Sequence, residues 1–235
     1  MNKLKEVTSN LIIINESDSF ITVKSKTGPS PIVTLPKNTS FKLLVLLGLI
    51  LGDGHLKKAK PKVFYEWINY NIVAYVKELL KEVFQLNCKL RTRYRRNQTF
   101  YYIDPNNRAV QTYINKVFDV PIGKKSSIIK MPRNLDTVKQ AQLFIGYFIA
   151  DGGIKMKGLS ITSKSSQIIN DCETLFNELK IKSYKGKWYN KKYKDWYYSI
   201  KFKTLDLIKL LNYAGVSERS NEPGLGMILN EKLEH

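Results

Sequence analysis

The sequence is poor in cysteine, acidic side chains and long apolar runs. Its two cysteines, Cys88 and Cys172, lie far apart with no Cys/His cluster near either, so neither a disulfide framework nor a structural zinc site is expected. No apolar run reaches the roughly 18 residues that a membrane span requires, and the start Met1–Asn10 lacks the apolar stretch of a secretion signal. We therefore expect an intracellular protein, in the cytoplasm, nucleoid or an organelle, with no membrane partner.

The shortage of acidic residues leaves a strongly basic chain. Lys and Arg number 39 against 20 Asp and Glu, which gives a formal net charge of +19 over 235 residues. A charge of this sign and size favours a polyanionic partner. Many aromatic residues, among them 14 tyrosines, stand between basic residues in the same short segments, a composition typical of nucleic-acid-binding surfaces.

Two apolar segments of the chain end in the same way. Leu46–Gly54 and Phe144–Gly152 each carry a small residue, three large apolar residues, another small residue and then Asp-Gly. The helices predicted around them are apolar on nearly all sides, which indicates burial. Small residues four apart on one face let two helix backbones approach closely, so we expect the two helices to pack on each other at the centre of the molecule. These small residues are Gly48, Gly52, Gly146 and Ala150.

The order of predicted elements after each motif is also repeated. Strand and helix patterns follow Asp53 and Asp151 in the same sequence, which predicts an α+β fold of two pseudo-symmetric αββαββα halves. We predict an N-terminal extension of short strands at 1–39, a first half at 40–120, a linker at 121–135, a second half at 136–217, and a tail at 218–235 that ends like a tag remnant.

Asp53 and Asp151 are the candidate metal ligands. A carboxylate at a helix C-terminus meets the negative end of the helix dipole at a cost of about 0.3–1 kcal/mol. If the helices pack about a twofold axis, two carboxylates about 5 Å apart add roughly 3 kcal/mol of repulsion. A bound cation offsets both, and the carbonyl oxygens of Gly52 and Ala150 add hard ligands. We predict Mg²⁺ here, or another divalent cation such as Mn²⁺. A single Asp-Gly could instead be a helix stop with a left-handed glycine, but its occurrence twice disfavours that interpretation.

The two nonapeptides, the repeated element order and the chain length resemble a single-chain LAGLIDADG homing endonuclease, in which one polypeptide carries both motifs. The resemblance covers roughly Phe41 to Ser217. It implies saddle-shaped antiparallel sheets on a long, asymmetric double-stranded DNA site, and a monomeric, intron-encoded enzyme. It also implies that Asp53 and Asp151 are the catalytic acids of a metal-dependent cut of both strands across the minor groove, leaving short 3′ overhangs.

The resemblance further implies a lysine in each site, often just before a proline near the end of each half. Lys130–Pro132 matches this arrangement, so Lys130 is the first candidate for a catalytic lysine, with Lys124 and Lys125 as rivals. In the second half Pro223 is not preceded by lysine, so the basic group there is unassigned, with Arg219 as a candidate. A loop side chain that contacts phosphate or solvent is an equally good interpretation of each lysine.

Alternating cations mark the predicted DNA surface. Alternate side chains of a strand share a face, so the odd-numbered cations of a predicted strand Lys89–Arg95 would lie together, with Leu90 and Tyr94 turned towards the helices. Arginine in the major groove can read base edges, and lysine can bind phosphates. A solvated charged face is the alternative. The residues assigned to DNA are Lys57, Lys89, Arg91, Arg93, Arg95, Lys155, Lys185, Lys187, Tyr189, Lys191, Lys201 and Lys203.

Two other functions stay open for this scaffold. An intron-splicing maturase would bind RNA without cutting DNA, and a DNA-binding regulator would keep the fold without cleavage. Neither function requires both aspartates, so their presence in both halves favours the endonuclease.

Overall fold

The computed structural model describes residues 2–26, 31–155, 158–216 and 224–234. The chain divides into two compact units, Met1–Lys124 and Lys125–His235, and the division falls inside the segment that the sequence predicts as a linker. No helix within the described ranges is long and apolar enough to cross a membrane.

The first unit begins with a helix and a small antiparallel sheet in the order β1-β2-β3. The three short strands predicted from the sequence are present, whereas the helix before them was not predicted. These elements are α1 (Asn2–Thr8), β1 (Leu11–Glu16), β2 (Phe20–Ser25) and β3 (Val33–Pro36).

This N-terminal extension packs on helices of the same unit. The Tyr113 hydroxyl donates a hydrogen bond to the Pro36 carbonyl oxygen at 2.8 Å, and α1 is held by the ion pairs Lys3–Asp119 at 3.1 Å and Lys116–Glu6 at 2.6 Å. Val33 and Leu35 are fully buried. The extension is therefore part of the hydrophobic core of the first unit.

The rest of the first unit has the predicted αββαββα order around an antiparallel sheet β4-β5-β7-β6. The first motif helix is buried on nearly all sides, as predicted from its composition, and the Ser40 side chain accepts a hydrogen bond from the Leu43 N–H at its start. The elements are α2 (Phe41–Gly52), β4 (His55–Leu56), β5 (Val63–Trp67), α3 (Tyr70–Phe84), β6 (Arg91–Arg95), β7 (Gln98–Ile103) and α4 (Arg108–Phe118).

The second unit repeats this order, with an antiparallel sheet β8-β9-β11-β10 connected as in the first unit. Its core includes Phe176, whose ring centroid lies 4.9 Å from that of Phe202 and 5.1 Å from that of Phe144. The elements are α5 (Thr137–Asp151), β8 (Gly152–Lys155), β9 (Gly158–Ser163), α6 (Ser166–Glu178), β10 (Ser183–Asn190), β11 (Asp195–Phe202), α7 (Thr204–Tyr213) and α8 (Leu225–Glu234).

Three local features differ from the sequence expectations. The strands β4 and β8 directly follow the motifs, and neither was located from the sequence because one has two residues and the other begins with two glycines. Strand β6 begins at Arg91, so Lys89 lies before it rather than in it. The predicted tail contains α8, whose Leu225 and Ile228 are buried.

Candidate active site and nucleic-acid interface

Asp53 follows the last residue of α2 and caps the helix. Its backbone is still in the right-handed helical region, and its N–H donates a hydrogen bond to the Leu49 carbonyl oxygen. The carboxylate oxygen Oδ2 is buried. A carboxylate at the negative end of a helix dipole is stabilised by nearby positive charge.

Asp151 is the last residue of α5 and is half-buried. The chain leaves the helix at once, because Gly152 has an extended backbone and begins β8.

The N-terminus of α5 is capped by Asp136, which accepts a hydrogen bond from the Lys139 N–H at 2.9 Å. Hydrogen bonds from Lys139 lower the pKa of Asp136 below its usual value.

The glycines after the two aspartates allow the chain to pack closely against the last turn of each motif helix. Neither Gly54 nor Gly152 has a positive φ, so the left-handed cap considered from the sequence is wrong for both. A Cβ atom on Gly54 would lie 2.5 Å from Ile50 Cα and 2.9 Å from Ile50 O, and one on Gly152 would overlap the Phe148 ring and carbonyl oxygen. Only glycine lets the chain pass this close to the last helical turn.

Tyr147 distinguishes the second motif from the first, where Leu49 holds the equivalent position. The ring is fully buried, and so is its hydroxyl oxygen. Burial, and then the negative charge of Asp151, raises the pKa of Tyr147 well above its usual value. The hydroxyl therefore stays protonated beside the candidate metal ligand.

The donor atoms suit a hard divalent cation. Among the described residues there is no cluster of three or more His, Cys, Asp or Glu side chains that could hold a metal ion. Each unit instead provides one carboxylate next to a helix-end carbonyl group, Gly52 O beside Asp53 and Ala150 O beside Asp151. Such an all-oxygen donor set, completed by water, is the kind that Mg²⁺ takes in proteins.

Lys130 belongs to the second unit, together with Asp151. Its neighbours fix the backbone against α6: the Ser165 hydroxyl donates to Ile129 O at 2.6 Å, and the Met131 N–H donates to the Asp171 carboxylate at 2.8 Å. The Lys130 side chain itself is half-buried. Of its rivals, Lys124 is exposed at the end of the first unit and Lys125 is half-buried in the second. Arg219 lies outside the described residues.

In the first unit the predicted arginines share one face of the sheet. Tyr65 and Ile103 are paired across β5 and β7 and are fully buried, so they mark the face that packs on the helices. The register places Arg91, Arg93 and Arg95 on the opposite face, which we call the open face. Tyr94 is on the helix side, as predicted, but 72% of its surface is exposed, like the rest of β6, whose residues are all exposed.

The open-face arginines are all held by acidic side chains, which were not predicted from the sequence. Arg91 and Lys62 pair with Asp104 at 3.3 and 2.5 Å, and both Arg93 and Arg95 pair with Glu66. Lys57, also assigned to DNA, has its ammonium 4.1 Å from the centre of the Phe64 ring. The cations are therefore ordered on this face by neighbours within the unit.

In the second unit the structure places the predicted DNA residues on both faces of the sheet. Lys185 is paired with the buried Ile200 and reaches α6, where its ammonium lies 2.6 Å from Glu173 and 3.2 Å from Asn170. Lys187 and Tyr189 share its parity, so all three lie on the helix side. Lys201 lies on the open face, paired with Tyr184.

Aromatic residues dominate the open face of the second unit. Tyr184 and Trp188 flank Gly186 in β10, and the Trp188 ring stacks on Tyr197 with centroids 5.9 Å apart. Tyr184 and Trp188 were not among the predicted DNA-binding residues, because the lysines predicted in the same strand have the other parity.

The remaining predicted cations lie at strand ends and in turns. Lys89 is exposed before β6, Lys191 is exposed in the β10–β11 turn, and Lys203 is exposed just before α7. Lys155 ends β8, and its side chain is outside the described part of the structure.

Cys88 is half-buried and Cys172 is buried. Both are free, and burial is the main cause that raises the pKa of Cys88 to about 11 and that of Cys172 further above its usual value. A thiol that stays protonated at neutral pH is a poor nucleophile and metal ligand.

Comparisons with known proteins agree with this fold. Residues 139–215 match the family model described as the LAGLIDADG-like domain. The homing endonuclease I-DmoI in complex with DNA and Mn is similar, with a TM-score of 0.54 at 17% identity over 75% of this chain and 97% of that chain. Mesophilic variants of I-DmoI give a TM-score of 0.53 at 16% identity over 74% of this chain and 94% of that chain. A search of curated proteins found no match. The resemblance inferred from the two motifs is confirmed, and the chain has the LAGLIDADG fold.

Proposed function

We propose that this chain, with its LAGLIDADG fold and its LAGLIDADG-like domain at residues 139–215, is a site-specific double-strand DNA endonuclease. The observation that carries the proposal is the repeated Asp-Gly pair, which ends a buried helix in each of two units of equal topology. The homing endonuclease I-DmoI has been solved with DNA together with Ca, Mn or Mg, which supports a divalent metal for this chain as well.

In this proposal Asp53 and Asp151 each serve one DNA strand. A divalent ion, when bound, would supply an activated water and neutralise charge on the reacting phosphate. The chain's own contribution is to fix each carboxylate at the end of a rigid buried helix, with a tight glycine turn behind it. Lys130 is held by backbone contacts on both sides and would offer positive charge in the second unit. The alternatives to Lys130 are Lys124, Lys125 and Arg219.

The open faces of the two sheets would bind the duplex. These faces carry Arg91, Arg93 and Arg95 in the first unit and Lys201 in the second. We propose a long, asymmetric DNA site, because the residues on the two faces differ. The protein would act as an intracellular, intron-encoded monomer.

Incubation of the protein with a library of plasmids that carry randomised inserts tests the enzymatic function. We expect linear products with short 3′ overhangs in Mg²⁺ or Mn²⁺ and none in EDTA, with one preferred sequence at the cleaved ends. Binding to duplex DNA without cleavage of any insert would contradict the endonuclease and indicate a non-cleaving DNA-binding protein. A preference for structured RNA over duplex DNA would instead indicate a maturase.

A further inference from the structure

Glu66 is an acidic side chain on the open face of a strongly basic protein. It lies in β5 opposite Tyr102 of β7, and only 8% of its side chain is exposed. Both of its carboxylate oxygens are engaged by arginines of β6: Arg93 pairs with Oε2 and Arg95 with Oε1. Strand β7 lies between β5 and β6 in the sheet, so these ion pairs cross over it.

Aromatic rings also lie close to each guanidinium group. Arg93 lies 5.5 Å from the centre of the Tyr102 ring and 5.8 Å from that of Phe64, and Arg95 lies 4.2 Å from that of Phe100. The arginine side chains stay 43% and 45% exposed. Each guanidinium therefore has a fixed orientation, part of its charge is compensated, and its remaining N–H donors are accessible.

DNA can be contacted at base edges or at phosphates, and the fixed orientation and reduced charge of these arginines affect the two kinds of contact in opposite ways. Recognition of a base edge needs a guanidinium held in the plane of its target, and bidentate contacts of this kind discriminate between bases. Attraction to phosphates depends mainly on uncompensated charge and carries no sequence information. A carboxylate that holds two arginines favours the first kind of contact and weakens the second.

We propose that Glu66 is a positioning residue that holds Arg93 and Arg95 for reading base edges and keeps them from binding the phosphate backbone. The inference rests on the part of the proposed function that places DNA on this open face, and does not require cleavage.

The first test measures binding of full-length wild-type protein and Glu66→Gln to a mixed-sequence duplex without divalent metal. Glutamine keeps the shape of the side chain but removes the one negative charge that the two arginines share. We expect tighter binding at low salt and a log–log salt slope steeper by about 0.9, which corresponds to one added phosphate contact. An unchanged slope would overturn the proposal.

The second test selects the preferred sequence of each protein by binding to randomised duplexes. We expect Glu66→Gln to specify fewer base pairs than the wild type, with the loss confined to one part of the site. A wild type that selects no sequence, or a variant that keeps every wild-type preference, would overturn the proposal.

Glu78→Gln is the matched control. It makes the same chemical change and the same change in net charge, but Glu78 is on α3, where it pairs with Lys77 at 3.3 Å and Lys81 at 3.8 Å. We expect the wild-type salt slope and the wild-type selected sequence. If Glu78→Gln steepens the slope as much as Glu66→Gln, the effect is one of net charge alone and the proposal fails.

Arg95→Lys supplies a second variant in case Glu66→Gln does not fold. Lysine keeps the charge and can pair with Glu66, but it lacks the planar fork. We expect a salt slope within about 0.5 of the wild type, since less than one phosphate contact changes, together with lost base preferences. Retention of every preference would overturn the assignment. If the wild type selects a sequence without cutting it, that result would contradict the proposed endonuclease function but not the proposed role of Glu66.

Discussion

Gly54 and Gly152 determine how the chain leaves each motif helix beside the candidate acids. A side chain at either position would collide with the residue four places earlier, Ile50 or Phe148. The sequence identified both Asp-Gly pairs as functional candidates. It could not reveal why the glycines are needed, because a left-handed cap and a close approach require the same residue type.

Gly152→Ala and Gly153→Ala form a matched pair that tests this contact. A methyl group at 152 would overlap the Phe148 ring and carbonyl oxygen, so we expect a loss of about 1–3 kcal/mol in the free energy of unfolding. A methyl group at 153 meets no atom within 4 Å, and we expect a change within about 1 kcal/mol. Urea denaturation measures both values. Equal stability of the two variants would contradict the packing role of Gly152.

At the scale of elements, strand alternation predicted which residues share a face but not which face that is. The odd-numbered residues of β6 lie on the open face, whereas those of β10 lie on the helix side. The pairing register decides this: Lys185 is opposite Ile200, whose side chain is fully buried in the core. Register is set by the apolar faces of both strands together and by the turn, so the alternating lysines of β10 alone do not reveal which face is buried.

Lys201→Gln and Lys185→Gln test the assignment of faces in the second unit. Lys201 is exposed on the open face, so its loss should flatten the log–log salt slope of DNA binding by about 0.9, which corresponds to one phosphate contact. Lys185 pairs with Glu173 on α6, so its loss should leave the slope unchanged. Filter binding of both variants to one mixed-sequence duplex provides the comparison. A larger effect from Lys185→Gln would reverse the assignment.

At the scale of the whole molecule, the two units share one topology but not the same surfaces. The first carries arginines held by Glu66 and Asp104, and the second carries Tyr184 and Trp188 around Gly186. Element order and the buried motif helices could be predicted because helix and strand periodicities are local. The acidic partners of the arginines could not, because Glu66 and Asp104 come from other strands or their ends. The predicted approach of Asp53 to Asp151 stays a prediction.

Cleavage of the selected plasmid sequence by Asp53→Asn and Asp151→Asn tests the central claim most directly. Asparagine keeps the size of the side chain and removes the negative charge that a divalent cation requires. We predict that either substitution abolishes double-strand cutting in Mg²⁺ while duplex binding stays within about threefold, or less than 1 kcal/mol. Asp119→Asn, at an exposed ion pair with Lys3, should cut like the wild type. Full double-strand cutting by either motif variant would contradict the claim that each unit supplies one essential acid.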